Sequence, residues 1–236
     1  MVDATIAYYR QWLAFDGVWL PIVKERGLIT PALDAILREY GIARCVPSRK
    51  GDESSERDCK LIIALSKVSG NWPESITARA SRCVEIAESK NGLFSARKGK
   101  EIFAGSLVSK LMWFLKPEGW TIFDSYAALG VKAKGATKKD QMIDFYKKLV
   151  DNKFAELAKE MQTHIDETGF SGIHAARIID LRLMLEGDFQ TPEDLKMVNG
   201  TFLKALPKTL SEEIVQLGMQ LEDKFGVEKI FHLATK

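Results

Sequence analysis

Residues 102–115 read Ile-Phe-Ala-Gly-Ser-Leu-Val-Ser-Lys-Leu-Met-Trp-Phe-Leu, a strongly apolar segment with the spacing of a helix. Pro117 and Gly119 are expected to end this helix. A short run, Trp120-Thr-Ile-Phe, then leads to Asp124-Ser125, where the next helix is predicted to begin. Because the rest of the chain repeats the same helical period, the sequence predicts an all-α protein.

Apolar residues recur at intervals of three and four along most of the chain, and no alternating pattern is long enough to build a sheet. Helices are predicted at Ile6–Leu20, Pro31–Tyr40, Lys60–Val68, Ser75–Ser89, 102–115, Tyr126–Val131, Gln141–Val150, Phe154–Thr168, Ile173–Leu185, Pro192–Leu203 and Ser211–Phe225. Thr191 before Pro192, with Asp194 following, is typical of a helix start. We expect one all-α domain, 1–236, made of two helical lobes, 1–92 and 93–236, with a cleft between them.

Composition excludes several classes of protein. The 236 residues are 46% hydrophobic and 28% charged, which is too apolar for a disordered chain. Lysine and arginine exceed aspartate and glutamate by only 34 to 32, so any surface that attracts nucleic acid must be local. Since no signal peptide or membrane-spanning run is recognisable, we expect a cytoplasmic protein without a membrane partner.

Cysteine and histidine are sparse and scattered. The three cysteines are odd in number and contain no Cys-x-x-Cys pair, and the three histidines have no ligand spacing. These residues are Cys45, Cys59, Cys83, His164, His174 and His232. We therefore expect reduced thiols, no metal site and no cofactor.

Lys110 is the first candidate for chemistry. On a helix with about 100° per residue it falls on the same side as Phe103, Leu107 and Phe114, so a lysine lies within an apolar stripe. Burial disfavours an ammonium and lowers a lysine pKa, which is one way to obtain a neutral amine nucleophile near pH 7. The alternative is a stem that lies along apolar surface while the ammonium reaches water. Helical position alone favours this alternative.

Asp124 is the second candidate, and it also has two interpretations. An aspartate directly before a helix is a common N-cap, whose carboxylate accepts backbone N–H groups. The same hydrogen bonds and the helix dipole keep the carboxylate ionised, and an ionised carboxylate can stabilise a nearby cation.

The run Ser106-Leu-Val-Ser-Lys110-Leu-Met-Trp-Phe-Leu-Lys-Pro-Glu-Gly-Trp-Thr-Ile-Phe-Asp124-Ser125 resembles the helix-hairpin-helix DNA glycosylase superfamily, in particular its 8-oxoguanine glycosylase-like branch. In bifunctional members a nucleophilic lysine on one helix is followed by an aspartate at the start of another. Lys110 and Asp124 match those positions, and Gly105-Ser106 is the nearest candidate for the hairpin. Arg177-Ile-Ile-Asp180-Leu, followed by Leu185-Glu-Gly187, is similar to a further helix of bacterial glycosylase-like proteins.

The resemblance implies a DNA glycosylase with abasic-site lyase activity. A damaged or modified base would be flipped out of the duplex, and Lys110 would attack the sugar C1′. Asp124 would help to deprotonate the lysine and would stabilise the developing positive charge. Loss of the base would leave a Schiff base, from which strand cleavage could follow.

A DNA partner would need contacts to the backbone and to the base. The basic residues best placed for phosphate contacts follow the Asp124 helix, and their alternative is a solvated loop. They are Lys132, Lys134, Lys138 and Lys139. Trp113 and Trp120, together with Trp72, are candidates for stacking a base or lining its pocket, with the hydrophobic core as their alternative.

Two other kinds of function remain open from the sequence. The nearly neutral net charge and the indistinct hairpin would suit a non-catalytic helical module that binds DNA or a protein. An enzyme of another kind, acting on a small molecule, is a third alternative, although no nucleotide or metal motif is recognisable.

Overall fold

The computed structural model describes residues 1–46, 53–88, 94, 96–97, 100–101 and 103–226. The described chain is predominantly helical, which confirms the predicted all-α class. Its α-helices are α1 (Val2–Gln11), α2 (Gly17–Arg26), α3 (Thr30–Glu39), α4 (Glu53–Gly70), α5 (Ile76–Ala87), α6 (Gly105–Leu115), α7 (Ser125–Gly130), α8 (Lys138–Asp151), α9 (Phe154–Glu167), α10 (Ala175–Glu186), α11 (Pro192–Ala205) and α12 (Lys208–Phe225).

The described residues also contain four shorter elements. A π-helical turn, Trp12–Asp16, joins α1 to α2, and a 3₁₀ turn, Ala43–Cys45, follows α3. Strands β1 (Ala96–Arg97) and β2 (Lys100–Glu101) pair antiparallel, and no other strand pairing occurs in the described residues. The helix-hairpin-helix arrangement implied by the resemblance stays a prediction.

Contacts divide the chain into two compact units, each assembled from separate segments. Unit 1 contains Met1–Val18, Asp124–Lys134 and the described part of 147–236, and unit 2 contains Trp19–Phe123 and Gly135–Tyr146. This division differs from the predicted lobes 1–92 and 93–236. The difference arises because α1 packs against α10 and α12, and sequence periodicity cannot reveal such distant contacts.

Unit 1 is built around α10, which packs against α1, α7 and α9. The contact between α7 and α10 is made by backbone against backbone. A Cβ at Gly130 would lie 2.0 Å from the carbonyl oxygen of Leu183, and a Cβ at Gly187 would lie 2.0 Å from that of Tyr126. Since real Cβ atoms do not approach so closely, glycine at both positions permits the packing.

Unit 2 is built around α6, against which α3, α4 and α5 pack. Its core includes fully buried aromatic residues from α6, α8 and the segment between α6 and α7, among them Trp113, Trp120, Phe145 and Tyr146. A helix that is apolar on nearly all sides must lie inside a domain, and this explains the central position of α6.

Most predicted helices are present with ends that differ by a few residues. Thr191 caps α11 as predicted, because its hydroxyl accepts a hydrogen bond from the Asp194 amide at 3.2 Å. The predicted helix 6–20 is interrupted by the π-helical turn, and α4 begins at Glu53, before the predicted start at Lys60. Ser89, Ile102 and His232, which belong to the sequence-based expectations, lie outside the described residues.

Candidate active site around Lys110

Helix α6 places Lys110 in the core of unit 2. The helix carries only three polar side chains, Ser106, Ser109 and Lys110, and the residues from Leu107 to Phe114 are all buried. An apolar surface on every side accounts for the burial of the helix, and Lys110 is buried together with its neighbours.

The side chain of Lys110 is only 7% exposed. Its Nζ lies 5.8 Å from the centre of the Tyr40 ring, within the range of a cation–π interaction. Tyr40 follows α3, and its ring also contacts Phe114 edge-on at 5.7 Å between centroids. The small exposed fraction supports the interpretation that Lys110 lies within the apolar stripe, and the aromatic ring is positioned to stabilise its charged form.

Ser109, next to Lys110, holds the segment that follows α6 against the helix. The Ser109 carbonyl accepts a hydrogen bond from Trp120 Nε1 at 3.1 Å, and its hydroxyl oxygen accepts one from the Phe123 amide at 3.1 Å. The Tyr146 hydroxyl donates to the Thr121 carbonyl at 2.9 Å. These three bonds satisfy polar groups in the core and fix the path of residues 120–123 in unit 2.

Asp124 lies in unit 1, at the start of the six-residue helix α7. Its carboxylate accepts a hydrogen bond from the Tyr126 amide at 3.0 Å, so the predicted N-cap geometry is present. The side chain is half-buried. Capping accounts for the local position of Asp124, while the catalytic role implied by the resemblance stays a prediction.

The four candidate phosphate-binding lysines divide equally between the units. Lys132 and Lys134 are exposed in unit 1, whereas Lys138 and Lys139 begin α8 in unit 2. Lys139 forms an ion pair with Glu88 at 2.9 Å, which offsets its charge. Lys132 and Lys134 therefore lie in one unit, and Lys138 and Lys139 lie in the other.

Trp113 and Trp120 are both fully buried. The Trp120 ring stacks on Tyr146 at 4.5 Å between centroids and meets Trp72 edge-on at 5.3 Å, and the Trp113 ring meets Phe114 edge-on at 5.0 Å. Because protein groups already surround both rings, we correct their assignment from base stacking to the hydrophobic core, which was the alternative interpretation.

Gly105 is a poor candidate for a phosphate-binding hairpin. It is buried at the start of α6, and a Cβ there would lie 2.4 Å from the Phe103 ring and 2.6 Å from the sulfur of Met142. The glycine at this position is explained by close packing. Its surroundings are apolar and do not resemble an anion site.

The second run of residues singled out in the sequence forms a buried ion pair in unit 1. Arg177, 4% exposed, donates a hydrogen bond from Nη1 to the carboxylate of Asp180, which is 0% exposed. The Arg177 guanidinium also lies 5.9 Å from the centre of the Tyr8 ring. Burial and, to a smaller extent, the carboxylate of Asp16 raise the Tyr8 pKa well above its usual value, while Arg177 opposes this rise.

Sequence reasoning did not identify Tyr40 or Ser109 as neighbours of functional interest. Ser109 adjoins Lys110 in the sequence, so a search for polar residues beside the candidate lysine would have found it. Contact between Tyr40 and Lys110 depends on the packing of α3 against α6, for which the sequence offers no local signal.

Two further features are absent from the part of the chain that the structure describes. No group of three or more His, Cys, Asp or Glu side chains is arranged to hold a metal ion there. Among the same residues, no helix combines the length and apolar character needed to cross a membrane.

No protein-family model matches the chain, and comparisons with curated proteins and with solved structures found no match either.

Proposed function

We propose that this protein is a DNA glycosylase with abasic-site lyase activity and that Lys110 is its nucleophile. The observation that carries the proposal is the burial of Lys110, 7% exposed, in a helix of unit 2 whose residues from Leu107 to Phe114 are all buried. Burial favours the neutral form of an amine, and that is the form in which a lysine acts as a nucleophile. The resemblance of residues 106–125 to the glycosylase superfamily gives such an amine a role.

The proposed reaction begins with a flipped-out damaged nucleotide. The neutral Lys110 amine donates its lone pair to C1′, and the bond from C1′ to the base breaks, so the base leaves with the electron pair and is protonated. Loss of the amine proton and opening of the sugar ring produce a Schiff base between Lys110 and C1′. Removal of a C2′ proton then expels the 3′ phosphate, and hydrolysis of the Schiff base frees the lysine.

DNA binding in this proposal depends on local charge, since the net charge of the chain is only +2. Lys132 and Lys134, whose side chains are exposed in unit 1, are the residues that we assign to phosphate contacts. Neutralising two phosphates would make the affinity salt-dependent, with a slope of roughly −2 in a plot of log affinity against log salt.

Borohydride trapping tests the proposal. Duplexes that carry different lesions would be incubated with the protein and sodium borohydride, which reduces a Schiff base to a stable covalent adduct. We expect an adduct with at least one lesion, and we expect Lys110→Gln to abolish it. Lys116→Gln is the matched control, because Lys116 lies just beyond α6 and is exposed.

Two outcomes would contradict the proposal. If Lys110→Gln retained full base excision and full adduct formation, Lys110 would not be the nucleophile. If no lesion gave excision or an adduct while salt-dependent DNA binding persisted, the non-catalytic DNA-binding alternative would be favoured.

Asp124 requires a separate test, because the resemblance alone implies its role. Asparagine is about as good an N-cap as aspartate, so Asp124→Asn removes the charge and preserves the cap. We expect excision to fall by about a hundredfold or more, as is typical when a group that assists proton transfer is lost. Asp124→Ser, which also preserves a cap, should behave similarly, and an unchanged rate in both variants would confine Asp124 to a capping role.

A further inference from the structure

A surface cavity of unit 1 combines aromatic walls with a carboxylate. Its volume is about 290 Å³, and Tyr9 of α1, Trp12 of the π-helical turn and Phe170 of the loop between α9 and α10 contribute its rings. Glu213 of α12 completes the lining. All of these residues belong to unit 1.

The backbone around Trp12 is adapted to hold its ring. A Cβ at Gly17 would lie 3.0 Å from the indole and 2.9 Å from the Trp12 carbonyl oxygen. Gly172 has a φ of +108°, and a Cβ there would lie 3.4 Å from the same ring. The indole is therefore enclosed by two glycines, and π-helical turns such as the one that contains it are frequent at functional sites.

The three rings that line the cavity pack against one another as one aromatic cluster. Tyr9 and Trp12 lie nearly parallel, with centroids 6.0 Å apart and planes inclined by 20°. Phe170 stands almost perpendicular to Tyr9, with centroids 5.7 Å apart. Aromatic faces carry partial negative charge, so rings that line a cavity can attract a cation, and alkylated ammonium groups are ligands that proteins bind in this way.

Charge in the same region favours a cationic ligand. An adjoining cavity of about 400 Å³ shares Phe170 and Glu213 with the first and adds Glu212. No basic side chain lines either cavity in the described residues. Burial and, secondarily, the carboxylate of Glu213 raise the pKa of Tyr9.

We propose that the cavity formed by Tyr9, Trp12, Phe170 and Glu213 binds an alkylated ammonium group, such as a trimethylammonium. The rings contact the methyl groups, and the carboxylate neutralises the charge. A hydrated metal ion fits this site poorly, since aromatic carbons cannot replace its water ligands. The proposal goes beyond the glycosylase activity and does not depend on Lys110, which belongs to unit 2.

Calorimetric titration of the whole chain with choline tests this proposal. The comparison ligand is 3,3-dimethylbutan-1-ol, which has the shape of choline without its charge. We expect saturable binding of choline and at least about tenfold weaker binding of the neutral compound. No saturable binding of choline, or equal binding of both compounds, would overturn the proposal.

Substitutions of the residues that line the cavity test which side chains contribute to choline binding. Trp12→Leu should weaken choline binding by about fivefold, the value of one exposed cation–π contact. Glu213→Gln should weaken it by a similar factor, whereas Glu160→Gln, an exposed change on α9 outside the cavity, should have no effect. Glu213 is exposed, so its substitution tests the site even if Trp12→Leu fails to fold. Unchanged binding in Glu213→Gln would contradict the assignment.

The same chemical group could come from a free metabolite or from a modified protein. A peptide that contains trimethyllysine and its unmodified counterpart would be titrated beside choline. Binding of the trimethylated peptide at least about tenfold tighter than choline would identify a protein side chain as the ligand. Equal or weaker binding of the peptide would identify the small molecule, and in both cases the alkylated ammonium is the recognised group.

Discussion

Helices α6 and α10 each bury one cation, and the surroundings of the two cations are similar. Lys110 on α6 is 7% exposed and has the Tyr40 ring 5.8 Å from its ammonium. Arg177 on α10 is 4% exposed and has the Tyr8 ring 5.9 Å from its guanidinium. In addition, Arg177 forms an ion pair with Asp180 on its own helix.

Burial has different consequences for the protonation of the two side chains. A guanidinium keeps its proton in proteins, so Arg177 remains a cation and needs the carboxylate of Asp180. A buried lysine can exist as a neutral amine, which is a nucleophile. Burial is therefore compatible with a structural role for Arg177 and with a chemical role for Lys110.

The largest expected effect comes from separating the ion pair. Asp180→Ala should lower the free energy of unfolding by about 3–5 kcal/mol, because it leaves the Arg177 charge buried without its carboxylate. Urea denaturation measures this change. Arg82 and Glu85 have the same spacing on α5 but are 55% and 60% exposed, so Glu85→Ala should cost less than about 1 kcal/mol. Equal losses of stability in Asp180→Ala and Glu85→Ala would contradict the structural role assigned to the ion pair of Arg177 and Asp180.

A methyl group between α7 and α10 should have the next largest effect. Gly187→Ala places a Cβ 2.0 Å from the Tyr126 carbonyl oxygen, so the backbones must separate, at a cost of about 1–3 kcal/mol or more. Gly200 in α11 has open space around its Cβ position, and Gly200→Ala should stabilise by about 0.5–1 kcal/mol. Thermal unfolding of both variants would show opposite shifts in Tm, and shifts of the same sign would contradict the proposed packing.

Beside Lys110, a smaller loss is expected from Ser109→Ala. This change leaves the buried Phe123 amide without its acceptor, at a cost of about 1–2 kcal/mol. Ser81 on α5 is the control, because its hydroxyl donates to the Thr77 carbonyl at an exposed position, and Ser81→Ala should change stability by less than about 0.5 kcal/mol. Chemical denaturation of the two variants measures the difference between their losses of stability. Equal losses would mean that the Phe123 amide reaches water, and they would contradict its burial.

The smallest effect concerns Tyr8 at alkaline pH. Because the Tyr8 pKa is raised in the folded protein, the phenol stays protonated above pH 10 while the unfolded chain loses its proton. The stability contributed by Tyr8 is present below pH 10 and is lost as the pH rises further, by roughly 1 kcal/mol per pH unit. Tyr8→Phe should show a shallower loss between pH 10 and 11, measured by urea denaturation. A parallel decline in both proteins would contradict the shifted titration.

Local patterns were sufficient to predict most helices. The helix predicted over Phe154–Thr168 is observed as Phe154–Glu167, and the one predicted over Pro192–Leu203 is observed as Pro192–Ala205. Both have strong periodicity, and α11 also has a capping threonine. The π-helical turn at Trp12–Asp16 could not be predicted, since the residues on both sides continue a helical pattern.

The candidate site could be predicted only in part. The apolar stripe of α6 indicated apolar neighbours for Lys110, because helical periodicity reports which side chains share a face, but helical position alone favoured an ammonium that reaches water. The same periodicity cannot distinguish a tryptophan in the core from one in a binding pocket, and Trp113 and Trp120 proved to be core residues. Contact with Tyr40 and the division of the chain into units depend on tertiary packing, which no local pattern records.

The close backbone contact between α7 and α10 also has a consequence for motion. A helix of six residues is far too short to persist alone in water, so α7 should unfold and refold rapidly wherever it is not packed. Gly130 and Gly187 allow it to lie directly against a longer helix of the unit 1 core. We therefore expect α7 to unfold only when α10 opens, which is a slow event. The Asp124 carboxylate should keep its orientation for as long as α7 stays folded. The amide protons of the two helices should then exchange with solvent at the same rate.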